Sequence, residues 1–514
     1  MEVSRVKRSE KNIAVGMVCV FCNALFTFVT TSVFIRLLGA ELNGVNRLFS
    51  NILQVLSLAD LGFASAVAYL LYKPLQEGDR QSTAALMNYF AKVYRVIAFI
   101  VLVAGVLCIP FLQYLINEDI NELSFSLNRL RSFFALYLLN TVSSYLLAYK
   151  RTILTADQNN YVVSLVDNTG SIVFSIIQIV VLVLTHNYYL YLTTLVAKTV
   201  INNVIITVIA NKKYPYLKEY KKVSITDKEK KELVQNVKAM FCHKVGSVAV
   251  YSTSTIIISA FVSVVDAGKY GNYILIVNQI SVFIGIVFSS LTSSIGNLCV
   301  DSDLDYQMVV FNRVRYLSDF IVIFTAVCYN VLFNDFISLW VGAGYTFPIY
   351  ITLMISVNAA SPYLRSSINA FKEAKGLFKK DWFKPLLEAV CGMALAIVFC
   401  HFWGIFGVVL GYFISSVFIA MPIEDYVLFK YGFKAIAIPC YIRQLIVLII
   451  ASSVAVGLGY ILNFPFGILW FILKALIAVS IVVLGYIVCT FKKQEFGYYK
   501  TLLKNKITSV RRKT

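Results

Sequence analysis

FIRLLGAELNGVNRLFSNILQVLSLADLGFASAVA, residues 34–68, is the stretch whose reading decides the fold. Arg36 and Arg47 stand on either side of a short turn that holds Gly39 and Gly44, and an apolar helix then runs from Leu48 with a single carboxylate, Asp60. At 1.5 Å per residue, Asp60 falls roughly 20 Å along that helix from Arg47, near the middle of an apolar layer about 30 Å thick. A hairpin of two spans with a carboxylate at mid-depth is the expected unit.

The rest of the chain repeats this pattern. Of 514 residues, 59% are hydrophobic, and the mean hydropathy is +0.75. That leaves too little polar surface to coat soluble domains. Apolar runs long enough to cross a bilayer are expected at 13–38, 47–72, 88–113, 130–149, 161–184, 187–210, 240–265, 272–298, 316–339, 348–370, 383–402, 404–428, 442–462 and 465–490, fourteen in all. The fold class is an all-α polytopic membrane protein.

The net charge of +19 records orientation rather than nucleic-acid binding. With the N-terminus inside, 39 of the 46 Lys and Arg fall in segments that alternate spans place on the cytoplasmic side, which puts both termini there. The longest loop, 211–239, is one of these, and its charge run reads as a solvated linker. The basic start, Arg5 to Lys11, precedes an apolar run too long for the core of a cleaved leader, so the first helix is retained.

Linker and repeat together set the domains. TSVFIRLLGAELNGVNRLFSNIL (31–53) matches TSTIIISAFVSVVDAGKYGNYILIV (253–277) weakly, with Gly44 aligned to Gly268. The expected organisation is a six-helix lobe (1–210), the linker (211–239), a second six-helix lobe (240–428), an extra helix pair (429–490) and a basic tail (491–514), with the two lobes around a central cavity.

Polar residues inside the spans fall in helical stripes: Ser164, Asp167, Ser171 and Gln178; Tyr191, Thr194, Lys198 and Asn202; Lys244, Ser247, Tyr251 and Ser254; Asn358, Arg365 and Asn369. A charge at mid-span costs about 2.5–3.5 kcal/mol even on the lenient insertion scale. For any one residue, pairing with a neighbouring helix or snorkelling to headgroups explains it as well as function does; for the whole set, a hydrated cavity explains more. Enzymatic constellations are missing. The three histidines (186, 243, 401) are scattered, no HExxH, GxSxG or Walker-type GxxxxGKS/T occurs, and the ten cysteines sit mostly in apolar runs without a loop-borne CxxC. No cofactor or metal is expected.

IRLLGAELNG (35–44), SLADLGFASAV (57–67) and LQEGD (75–79), followed by KGLFKKDWFKPLLEAV (375–390) and WGIFGVVLGYFISS (403–416), resemble the signatures of bacterial Wzx-type polysaccharide flippases. These belong to the multidrug/oligosaccharidyl-lipid/polysaccharide (MOP) exporter superfamily. The resemblance implies a carrier that moves an undecaprenyl-diphosphate-linked oligosaccharide across the bacterial cytoplasmic membrane by alternating access, with H+ or Na+ coupling. It acts as a monomer beside a polymerase and chain-length proteins. It makes Arg36, Lys198, Lys244 and Arg365 candidates to hold the diphosphate, and Asp60, Asp167 and Glu388 candidates for coupling or charge pairing. Tyr191 and Tyr251 are candidates to stack on sugars, and Arg47 is expected at the headgroups. A lipid II or multidrug exporter of the same superfamily is the alternative cargo reading, although drug exporters usually lack the extra pair at 442–490. A membrane polymerase or glycosyltransferase is the alternative from another class, which the short outer loops disfavour.

Overall fold

The computed structural model describes residues 2–57, 63–117, 125–157, 159–220, 223–226, 230, 252–377 and 380–511. Asp60, Lys244 and Tyr251 lie outside the described residues, as does the first part, 240–251, of the expected span 240–265.

The described residues form helices joined by short connections: α1 (Glu2–Leu56), α2 (Phe63–Glu77), α3 (Arg80–Cys108), α4 (Leu127–Ala156), α5 (Asn160–Thr185) and α6 (Tyr188–Lys213). After the linker come α7 (Ser252–Phe261), α8 (Val264–Asp301), α9 (Leu304–Trp340), α10 (Ile349–Ala360) and α11 (Pro362–Ala374). Then follow α12 (Lys384–Phe433), α13 (Ile438–Ile461), α14 (Ile468–Thr490) and α15 (Gln494–Arg511).

Local chemistry explains where these helices stop. Asp79 caps α3, its carboxylate accepting the Ser82 N–H at 3.0 Å. Asn187 caps α6 through the Tyr189 N–H at 2.8 Å, and Asp303 caps α9 through the Tyr306 N–H at 3.0 Å. Each satisfies an N–H that the first helical turn leaves unbonded. His186, in the left-handed region at φ 49°, closes α5 so that α6 restarts at once.

Two long helices are broken by glycine. α1 breaks at Gly39 (φ 86°, ψ 178°) and α12 at Gly404 (φ 54°, ψ −131°), conformations that a Cβ opposes. Gly39 lies in the turn expected between Arg36 and Arg47, and Gly404 is the first residue of the span expected at 404–428.

Nine helices among the described residues are long and apolar enough to cross a membrane, with a bent pair in α4 as a tenth. The broken helix α12 holds the two spans expected at 383–402 and 404–428, whereas α1 holds the one at 13–38 and the start of the one at 47–72, which continues in α2. The span expected at 348–370 is built from the consecutive short helices α10 and α11. Every expected span thus overlaps a described helix, the one at 240–265 through α7 and the first residues of α8. Large apolar side chains stand exposed on the outside of these helices, such as Leu184, Ile449, Leu469 and Leu476. Water does not tolerate that surface and hydrocarbon does. The chain is a multi-pass membrane protein.

The helices group into two compact units, Met1–Gly271 and Asn272–Thr514. In the first, α4 packs on α3 and α6, and α1 packs on α5. The two aligned glycines of the repeat meet here. A Cβ on Gly44 would stand 1.9 Å from the Val264 carbonyl oxygen, and one on Gly268 would stand 2.9 Å from the Gly44 nitrogen. Asn43 Nδ2 adds a hydrogen bond to the Gly268 carbonyl at 3.2 Å. The two backbones approach closely enough that only hydrogen fits between them.

In the second unit α9 is the hub, packed against α10, α11, α13 and α14. Polar contacts pin the extra pair to it. Asn330 Nδ2 donates to the Ala455 carbonyl at 2.8 Å, Arg443 pairs with Asp319 at 2.6 Å, and Lys474 pairs with Asp335 at 2.7 Å.

Candidate functional site

Three helices of the first unit enclose a polar cavity of about 330 Å³, lined by Ser144, Tyr145 and Arg151 of α4, Asp167 of α5, and Lys198, Thr199, Asn202 and Asn203 of α6, among others. Close approach of α5 and α6 shapes it. A Cβ on Gly170 would lie 2.2 Å from Asn202 Oδ1, so glycine lets the amide press against the α5 backbone. Thr199 donates to Asn140 Oδ1 at 2.6 Å, tying α6 to α4.

Within the cavity the charges are unequal. The Arg151 guanidinium pairs with Asp167, and its Nε and Nη2 donate to Asn203 Oδ1 at 3.1 and 2.9 Å. That fork fixes the arginine across α4, α5 and α6. Lys198 lies near Asp167 but makes no hydrogen bond or ion pair among the described residues. Two cations and one carboxylate leave the cavity with a net charge of +1. A net positive, low-dielectric site is electrostatically suited to an anion, and hydroxyl and amide donors stand beside the ammonium.

A second constellation lies in the other unit. Arg365 of α11 donates from Nε and Nη2 to Glu424 at 2.7 and 2.9 Å, and from Nη1 and Nη2 to Glu388 at 2.8 and 3.2 Å. Its Nη1 also reaches Ser416 Oγ at 3.1 Å. Lys384 adds bonds to Glu424 at 2.6 Å and Glu388 at 3.4 Å, and Lys372 pairs with Asp381. All six charges are buried or nearly so. Three cations balance three carboxylates, so the cluster carries no net charge to offer a ligand; it ties α11 to both ends of α12.

The structure brings Lys198 together with Asp167, and Arg365 together with Glu388. Arg36 stands exposed on α1, without an ion pair among the described residues. Tyr191 stacks within an aromatic cluster, its ring 5.0 Å from Phe34 and 6.0 Å from Tyr188, and is not among the residues that line the α4–α6 cavity. Arg47 turns inward instead of reaching headgroups. Its Nε is buried and its stem lies over Gly271, where a Cβ would meet it at 2.8 Å. Arg151 is the residue that sequence reasoning missed. It follows Lys150 at a span end, which reads as orientation charge, and only the spacing of Asp167 and Asn203 on the next helices shows that it points inward.

Comparison with solved structures places the fold. The inward-closed structure of the lipid II flippase MurJ aligns over 93% of this chain and 99% of its own, with a TM-score of 0.66 and 15% identity. An inward-facing multidrug resistance MATE family transporter of the MOP superfamily aligns over 84% and 96%, with a TM-score of 0.56 and 11% identity. The Vibrio cholerae MATE transporter VcmN aligns over 82% and 98%, with a TM-score of 0.53 and 12% identity. No family model matches the chain, and no curated protein matches it. At these identities the likeness concerns the fold alone, which the chain shares with these transporter structures over 82% to 93% of its length.

Proposed function

We propose that this protein is a flippase that moves an undecaprenyl-diphosphate-linked oligosaccharide from the cytoplasmic to the outer leaflet by alternating access, for cell-surface polysaccharide synthesis. It resides in a bacterial cytoplasmic membrane with both termini inside, and works between the enzymes that assemble the repeat unit and those that polymerise it. The observation that carries this reading is the net-cationic cavity of α4–α6, in a chain that shares its fold over 93% of its length with a lipid II flippase.

A diphosphate needs cations that are not already neutralised. Lys198 meets that need, with Arg151 held beside it by Asp167 and Asn203. Arg36 and Lys244 extend the same role along the path of the cargo, and Arg365 joins it only in a state that opens its carboxylate cage. Asp60, Asp167 and Glu388 are the groups whose titration or ion binding couples transport to a proton or sodium gradient. The six-helix lobes 1–210 and 240–428 act as the two moving halves, joined by 211–239, with 429–490 as the added pair.

A lipid II exporter is the second reading. The MurJ likeness favours it directly, and it uses the same diphosphate-binding chemistry.

The test is reconstitution in vesicles that carry undecaprenyl-diphosphate-linked repeat unit or lipid II in the inner leaflet, scored by the fraction that becomes accessible to an external lectin or oxidase. The expected result is translocation of the oligosaccharide lipid, reduced in Lys198→Met. Translocation of lipid II alone selects the second reading, and movement of neither sinks both.

A further inference from the structure

Asp425 lies on α12 beside Glu424, between two wide turns at Ser416–Ala420 and Leu428–Phe433. Neighbouring positions on a helix point about 100° apart, so the two carboxylates meet different surroundings. Glu424 takes the Arg365 fork and Lys384. Asp425 faces α13, where Gln444 Nε2 donates to its Oδ1 at 3.2 Å. Both side chains are almost completely buried, Asp425 at 1% and Gln444 at 2% exposure.

The remaining atoms do not match. Asp425 Oδ2 and Gln444 Oε1 are both buried without a hydrogen-bond partner among the described residues. Both are acceptors when Asp425 is ionised, and a buried acceptor with no donor costs about 1–3 kcal/mol, more for a charged group. A single proton on Oδ2 removes both deficits. The acid O–H then donates to the amide oxygen while the amide N–H donates to Oδ1, closing an acid–amide ring.

We propose that Asp425 and Gln444 form a buried proton-binding site that holds one proton at neutral pH. The charged and titratable groups that face it are Glu424 on its own helix, Arg315 of α9, Arg365 of α11, and Cys440 and Tyr441 of α13; the Asp319–Arg443 pair lies beside Arg315 and Cys440. Arg365 is engaged by two carboxylates, and Arg443 by Asp319. Arg315 has a buried Nε with no hydrogen-bond partner among the described residues, a weak contact from Nη1 to Cys440 Sγ at 3.7 Å and the Phe311 ring 5.3 Å from its guanidinium carbon. It is the cation available to an Asp425 that has released its proton. Binding and release at this site pull α12 alternately toward α13 and α9. Its use in driving transport rests on the flippase reading above.

Infrared difference spectra of the full chain in lipid vesicles at neutral pH test the site. The parent is expected to show a protonated carboxylic C=O stretch that shifts down in D2O and is missing in Asp425→Asn. Gln444→Met is expected to keep that band and move it to higher frequency, since the acid loses its amide partner. If Asp425→Asn removes only ionised carboxylate bands, or Gln444→Met leaves the acid band in place, the proposal falls. Should Asp425→Asn fail to insert, the Gln444→Met comparison decides alone. The coupling role is read separately from the pH dependence of translocation, expected to flatten in Asp425→Asn. A parent that translocates nothing defeats the flippase reading and leaves the infrared result standing.

Discussion

Replacing Arg365 by Met takes one cation out of a cluster in which Arg365, Lys372 and Lys384 balance Glu388, Glu424 and Asp381. Glu424 and Glu388, 2% and 10% exposed, then lose four charge-assisted hydrogen bonds between them. Removing one partner of a buried pair costs about 3–5 kcal/mol, because the other charge stays behind. Lys384 still reaches both carboxylates, which puts the loss near the lower end, about 3 kcal/mol. For a unit of this size, at roughly 2–4 °C per kcal/mol, the midpoint of unfolding should fall by about 6–12 °C. The four tryptophans, Trp340, Trp382, Trp403 and Trp470, all lie in the second unit, so intrinsic fluorescence during heating reports its unfolding. Arg365→Lys keeps the charge, loses the two-pronged geometry and should fall between parent and Met. Adding Glu388→Gln to Arg365→Met should recover part of the loss, with a coupling energy above about 1 kcal/mol. A midpoint within about 2 °C of the parent and no coupling would refute the structural role. Abolished translocation at an unchanged midpoint would instead make Arg365 a cargo ligand.

Lys198→Met should lower translocation roughly 10- to 100-fold, the value of one charge-assisted contact of about 1.5–3 kcal/mol, and leave the unfolding midpoint unchanged; a large fall in the midpoint would assign Lys198 to structure. Gly44→Ala should destabilise the first unit by about 1–3 kcal/mol or block its assembly, because the new Cβ meets the Val264 oxygen at 1.9 Å; limited proteolysis that shows no change would place that contact elsewhere. Asp79→Ala should speed amide exchange in the first turn of α3 and cost about 0.5 kcal/mol, the low end for an exposed cap. Hydrogen bonds from the Ser82 hydroxyl and N–H hold the Asp79 carboxyl below its ordinary range. The protection it confers is therefore complete above the unfolded value of about 3.9 and is lost as pH falls through the lower folded value; equal exchange in parent and variant at pH 7 would exclude the cap.

By itself the sequence determined the apolar, helical character of the chain, the glycine-bearing turn of α1 and the kinds of polar residue that enter the membrane. Hydropathy over some twenty residues and the conformational freedom of glycine are local properties, so a run such as 34–68 carries them without help from the rest of the chain. Lys198 and Asp167 were legible in the same way, as members of helical stripes. Tertiary structure alone decided which charges meet. Arg151 joins Asp167 and Asn203 across three helices, Arg365 is enclosed by Glu388 and Glu424, and Asp425 is left with an amide for company while its neighbour Glu424 has the cations. Those outcomes depend on how each helix is rotated about its axis against partners tens of residues away. A turn of 100° per residue exchanges a neutralised charge for a free one. The repeat at Gly44 and Gly268 shows the same division: the sequence aligned the two glycines, and only packing revealed that they touch.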